Sequence, residues 1–259
     1  MAGFKRPLTL NLSRLTNLPD AAAEILSKHN GKLYLDGLTS VSNAAAESLG
    51  QREGHLYLNS VTSLSDTAVE SLSKHKGWLY LNGVTSLSQR AAESFGKSKG
   101  PLSLNALRVL TDEAAESLSK HDGVIWLNGL TTLSDAASAS FSKSYVQELN
   151  GLTSLSDVAV ENLSKSSGSL SLNGLKSLSD AGVEHLCKIK GSLSLDGLTC
   201  LSETAAKSLS KHNGDLSLNG LITLSDEAVE NLSSRRGTLN LLGLQRLSGA
   251  AIGSLMFKH

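Results

Sequence analysis

The chain has 259 residues, and its 24 Lys and Arg offset its 24 Asp and Glu to a formal net charge of zero. The basic residues are scattered along the sequence rather than gathered into stripes, which argues against a phosphate-matching surface, so no nucleic-acid or membrane partner is expected. Apolar runs are only a few residues long, so no transmembrane or secretory segment is legible and a cytoplasmic location is expected.

From Leu8 onward one phrase recurs about every 23 residues, most cleanly at Leu79-Tyr80-Leu81-Asn82-Gly83-Val84-Thr85-Ser86-Leu87-Ser88. Aligned on the first Leu, eleven copies start at Leu8, Leu33, Leu56, Leu79, Leu102, Ile125, Gln147, Leu170, Leu193, Leu216 and Leu239. A fixed internal period makes residues 1–259 one repeat array rather than a set of globular domains. The hydrophobic period changes within each copy. It starts as a two-fold alternation, which suits a short strand with its leucines inward. Ala68, Val69 and Leu72 then fall at i, i+1 and i+4, one face of a helix.

Asn82-Gly83 is expected to end the strand by adopting positive φ. Ser65 is placed to cap the helix N-terminus and Asp66 to meet its positive dipole end; Ser134-Asp135, Ser179-Asp180 and Ser225-Asp226 are counterparts. At Lys74-His75-Lys76-Gly77 cationic side chains meet the negative end, with Gly supplying the cap.

The pattern L-x-L-N-G-L-T-x-L-S-D-x-A-V-E-x-L resembles a leucine-rich repeat over Leu8 to about Leu255. It is closest to the strand-and-helix type of ribonuclease inhibitor and the cysteine-containing subclass. The resemblance implies an α/β solenoid with parallel strands on a concave face and short helices on the convex face. It also implies recognition of partners that differ widely between members. Strands about 4.8 Å apart against helices about 8 to 10 Å apart account for the curvature, and ten steps give a concave sheet on the order of 50 Å long. Many such families hold Asn or Cys at the inward turn position. Leu38, Val61, Val84 and Leu130 stand there in this chain, so aliphatic filling is expected to replace the usual side-chain hydrogen-bond ladder.

Two steps are irregular. The first copy runs 25 residues to the second, with Leu12-Ser13 reading as an insertion in a terminal repeat. The step from Ile125 to Gln147 is one residue short and lacks its closing Gly, which divides the array into two halves. Gln147 falls where an inward Leu belongs, and a bulge turning Val146 inward is expected. The ends are poorly sealed, with Phe4 and Phe257 placed to cover them, and self-association through the ends is one expectation.

Tyr and Trp together occur six times. Tyr34, Tyr57, Tyr80 and Trp126 take the outward strand position, and Trp78 the outward position just before the strand; only Tyr145 lies elsewhere. Later copies carry Glu148, Ser171, Ser194, Ser217 and Asn240 at the strand position, so an aromatic half and a hydroxyl half are expected. Two readings fit the first half. Tyr34, Tyr57, Trp78, Tyr80 and Trp126, flanked by His55, can form a contact surface for a protein or a glycan. The three in-register tyrosines can also stack as a ladder that stabilises adjacent strands. Serine at the same positions in later copies is hard to explain by stability alone, which favours contact.

The Asn or Asp after each strand, such as Asp36, Asn59, Asn82 and Asp196, reads as a turn former without the dense acidic loop of a calcium site. His29, His75, His121 and His212 share one position late in the helix, too far apart for a shared metal ion, and read as helix caps. Recurrent Glu70, Glu116 and Glu230 read as a solvated face with nearby Lys. Cys187 and Cys200 read as incidental surface thiols. No nucleophile elbow or phosphate loop is present, so no catalytic residue and no cofactor is expected. The reading is a non-catalytic scaffold that binds a protein through its N-terminal aromatic half. A carbohydrate-binding module and a passive structural array are the alternatives.

Overall fold

The structure is a computed structural model that describes residues 8–144, 146–166 and 168–256, the side chains of Val146 and Gln147 excepted. The chain divides into two compact units, 1–129 and 130–259. In the first unit the strands pair in parallel and in chain order: β1 (Leu10–Asn11), β2 (Leu33–Tyr34), β3 (Leu56–Tyr57), β4 (Leu79–Tyr80), β5 (Leu102–Ser103) and β6 (Ile125–Trp126). The intervening helices are α1 (Asp20–Ser27), α2 (Asn43–Gly50), α3 (Asp66–Leu72), α4 (Gln89–Gly96) and α5 (Asp112–Leu118).

The second unit opens with α6 (Asp135–Phe141). Its strands β7 (Val146–Glu148), β8 (Leu170–Ser171), β9 (Leu193–Ser194), β10 (Leu216–Ser217) and β11 (Leu239–Asn240) alternate with α7 (Asp157–Ser164), α8 (Asp180–Leu186), α9 (Glu203–Leu209), α10 (Asp226–Ser233) and α11 (Gly249–Met256). These strands also pair in parallel and in order. No helix among the described residues is long and apolar enough to cross a membrane.

One copy shows how the core forms. Leu56 and Leu58 point inward from the strand, Val61 from the turn, and Ala68, Val69 and Leu72 from the helix, all at most 1% exposed. The period-two and helical patterns therefore meet in one apolar layer, the burial that drives such an array. Ser65 caps its helix as expected, accepting from the Ala68 N–H at 3.0 Å. The same hydroxyl also donates to the Asn43 side chain of the previous copy at 2.5 Å. Ser88 does likewise to Asp66, and Ser202 to Asp180, each at 2.5 Å. The Ser-Asp pair is thus a tie between copies as well as a cap.

Three expectations are corrected. The first copy is in register at Leu10, which pairs with Leu33, so its step is regular and Leu12-Ser13 is no insertion. In Leu8-Thr9-Leu10-Asn11-Leu12 two L-x-L frames overlap, and only pairing chooses between them; Leu8 is left 73% exposed.

The Asn-Gly turns do not use positive φ, since Gly237 alone shows it among the described residues. Gly83 is needed for space: a Cβ there would lie 2.5 Å from the Asn59 carbonyl and 2.7 Å from that of Val61. The closing glycines stack on one another for the same reason, a Cβ on Gly77 meeting the Gly54 carbonyl at 2.4 Å.

The cation-and-glycine helix ending is also replaced. The C-cap Ser73 is right-handed helical, and α3 has no basic residue in its last turn. His75 and His212 are buried instead, and so is His121, whose Nδ1 lies 2.9 Å from the Phe95 carbonyl at the end of the preceding helix. Burial pushes His75 down to about 4, with Arg52 adding to the effect, so the imidazole is neutral and acts by packing rather than by charge. Arg52 fills the same repeat position one copy earlier; it is 1% exposed and donates through Nη2 to the Gly31 carbonyl at 2.8 Å.

At the irregular step, Glu148 pairs in regular register with Ser171. The inward turn of Val146, the place of Gln147 and Tyr145, and the covering roles of Phe4 and Phe257 lie outside the described residues. In the last copy Leu239, Leu241 and Leu244 are half-buried where their counterparts are buried, and Leu242 is 86% exposed.

Candidate functional site: an aromatic ladder on the sheet of the first unit

Parallel in-register pairing brings the predicted residues together. Tyr34 pairs with Tyr57 and Tyr57 with Tyr80, so like side chains meet on one face. The Tyr34 and Tyr57 rings are 4.0 Å apart and 10° from parallel, and those of Tyr57 and Tyr80 are 4.2 Å and 4°. Burial pushes the Tyr57 phenol above its ordinary range, and the phenols of Tyr34 and Tyr80 on either side push it further.

The ladder changes character at Ser103, the in-register neighbour of Tyr80. Trp126 follows on the next strand, yet its ring reaches 6.2 Å from Tyr80 and 4.8 Å from Trp78. Trp78 in turn stacks at 5.8 Å on Tyr80 and lies 6.2 Å from His55. Burial, with Lys32 nearby, pushes the His55 imidazole down. All six residues named from the sequence therefore belong to one surface, and each is half-buried.

Two members of that surface were missed. Pro101 and Val124 occupy the position of His55 and Trp78 in the next two copies, and their carbonyls accept from Leu79 and Leu102 as those of His55 and Trp78 accept from Leu33 and Leu56. Both are half-buried. Reading the column Lys32, His55, Trp78, Pro101 and Val124 across copies would have found them, but only aromatic residues stood out.

Beside the rings runs a hydrogen-bond ladder that the aliphatic turn residues were expected to replace. It is present, formed by the Asn and Asp after each strand. Asp36 Oδ1 accepts from the Asn59 N–H at 3.1 Å, Asn82 Oδ1 from the Asn105 N–H at 3.1 Å, and Asn105 Oδ1 from the Asn128 N–H at 3.0 Å. Each side-chain oxygen thus serves the next copy. Ser103 joins it, donating to Asn82 Oδ1 at 2.6 Å.

In the second unit the serines at the aromatic position do the same. Ser171, Ser194 and Ser217 donate to Asn150, Asn173 and Asp196 at 2.6, 2.7 and 2.6 Å. The expected hydroxyl half exists, but its hydroxyl protons are engaged within the chain. Cys187 and Cys200 are free thiols, and burial pushes the Cys187 thiol up, away from reactivity.

No protein-family model matches the sequence, and no curated protein matches it. Among solved structures, an internalin from Listeria monocytogenes superposes with a TM-score of 0.57 at 20% identity, over 94% of this chain and 69% of that one. The chain folds as a leucine-rich-repeat protein. A leucine-rich-repeat protein of Leptospira interrogans is similar too, with a TM-score of 0.50 at 20% identity over 96% of this chain and 75% of that one. At this identity the likeness is one of fold alone.

Proposed function

We propose that the chain is a recognition scaffold that binds a protein through the aromatic sheet face of its first unit. The observation that carries this reading is the leaning of Trp126 onto Trp78 and Tyr80. A ring two strands away closes up with them into one patch, extended by Pro101 and Val124. Large half-buried rings with polar tips are the side chains that dominate protein interfaces.

The glycan alternative has less support. A sugar stacks on an open ring face, but the faces of Tyr57 are covered by Tyr34 on one side and Tyr80 on the other. The Asn carboxamides that would read sugar hydroxyls accept from the next copy instead. Structural stacking remains compatible with binding, since the ring edges stay available for contact.

The test uses Trp126→Ala, which removes area without breaking the tyrosine stack. A partner captured by the wild-type chain is expected to lose affinity at least about tenfold, the scale of an interface hot spot, while the melting temperature stays close to wild type. Retained affinity overturns the reading, and binding to a glycan array that depends on Tyr34 and Trp126 favours the carbohydrate alternative.

A further inference from the structure

The helical side of the first unit carries a second feature, independent of the aromatic ladder. A cleft of about 690 Å³ opens between α3 and α4 near their C-terminal ends. Its cause is an alternation at the helix ends. Gly50 lets α2 approach α3, where a Cβ would lie 2.2 Å from the Ser71 carbonyl, and Gly96 lets α4 approach α5, where a Cβ would lie 2.0 Å from the Ser117 carbonyl. The same repeat position after α3 holds Ser73, which forbids that approach and lines the cleft. Helices α2 with α3 and α4 with α5 therefore close up, and the space between α3 and α4 stays open.

The lining is unbalanced in charge. Lys74, Lys76, Arg90, Lys97 and Lys99 line it with Glu70 and Glu93, and Lys76 pairs with Glu53 beside it at 3.3 Å, which leaves Lys74, Lys97 and Lys99 as the excess. Arg90 lies 3.8 Å from Glu70, and Glu93 accepts from Gln89 at 3.1 Å. The excess is local: the next furrow, between α4 and α5, sets Glu93, Glu113 and Glu116 against Lys97 and Lys120. Sequence explains it, since Gln89-Arg90 stands where most copies have an acidic residue first and no Arg second. Lys76 and Lys99 likewise occupy a position held by Asn30, Glu53 and Asp122 in neighbouring copies. His75 lines the cleft at 3% exposure, and neither ring nitrogen has a hydrogen-bond partner.

We propose that this cleft docks an acidic, extended peptide segment of a partner protein. Lysine ammonium groups on flexible stems match carboxylates dispersed along a chain. The cleft lacks the converging backbone N–H groups with which a helix N-terminus favours a compact phosphate, since helix C-termini face it. The volume also suits several residues rather than one compact anion.

The experiment measures binding of a fluorescent oligoglutamate peptide to the full chain at low salt by anisotropy. Saturable binding is expected, weakening at least about tenfold in Lys97→Glu/Lys99→Glu, since charge pairs across an interface couple strongly. Lys188→Glu/Lys190→Glu changes the same repeat positions in the second unit and is expected to leave affinity within about twofold of wild type. The His75 ring signals in an NMR spectrum are expected to shift on saturation. Lys97→Gln/Lys99→Gln gives the milder loss and serves if charge reversal lowers the melting temperature. No saturable binding, unchanged affinity in the Lys97/Lys99 variants, equal loss in the Lys188/Lys190 control, a His75 signal that does not move, displacement by equimolar inorganic phosphate, or equally tight binding of single-stranded DNA would each overturn the proposal.

Discussion

The Trp126 ring lies 4.8 Å from that of Trp78, although the strand Leu102–Ser103 runs between theirs. Two strand steps measure about 9.6 Å, so the indole leans back across Ser103, which is fully buried. The aromatic surface depends on a small residue at that position. Ser103→Tyr would extend the tyrosine stack in sequence terms, but it must eject the indole and leave Asn82 and Asn105 without their serine. It is expected to destabilise by about 1–3 kcal/mol, read by urea unfolding, with a red shift in Trp emission as Trp126 moves to water.

The stack itself makes Tyr57 unlike Tyr34. It has a ring on each side, whereas Tyr34 stacks on one. At about 0.5–1.5 kcal/mol per aromatic pair, Tyr57→Ser is expected to cost about twice as much as Tyr34→Ser. Equal losses in chemical denaturation would show that area, not stacking, sets the contribution.

Glycines separate by cause. Gly83→Ala puts a methyl 2.5 Å from the Asn59 carbonyl and is expected to cost about 1–3 kcal/mol or more, because backbone cannot yield as a side chain does. Gly253→Ala, inside α11 with nothing within 4 Å, is expected to stabilise by about 0.5–1 kcal/mol through helix propensity. Thermal melts of the two variants should move in opposite directions.

Acid should weaken the fold before its carboxylates titrate. His75 is held at about 4 against 6.5 in the unfolded chain, and burial shifts His121 and His212 downward as well. Between those values the unfolded state binds more protons, so stability rises with pH. The contribution is complete above 6.5, is lost as pH falls toward about 4, and levels off below; for His75 it is roughly 3 kcal/mol at most. Urea midpoints across that window are expected to fall, and His75→Gln to make the decline shallower.

Arg52 is buried where four other copies have His, and its guanidinium, pushed down to about 10 by burial, donates to Gly31 and Leu26 carbonyls. Arg52→Ala leaves the Gly31 carbonyl without its donor and opens a void, an expected cost of about 3–5 kcal/mol. Arg52→His restores the residue usual at that position and should recover much of it, as measured by denaturation midpoints.

Periodicity alone was enough for the strand–helix repeat, the inward leucines, the Ser caps and the six ring-bearing members of the aromatic surface, because each depends on residue type at a fixed spacing within a copy. Where two spacings overlapped, as at Leu8 to Leu12, the local pattern could not choose. Packing between copies decided the rest. A glycine needed for clearance and one needed for positive φ look alike in a chain, and only the carbonyl of the preceding copy tells them apart. A turn-forming Asn becomes a ladder rung when the next N–H reaches it. The six aromatic and imidazole positions were legible from sequence, but the lean of Trp126 over Ser103 and the opening of the α3–α4 cleft were not. Both arise from contacts between residues a repeat or more apart, where the distance between neighbouring copies, rather than the residue itself, sets what the side chain can do.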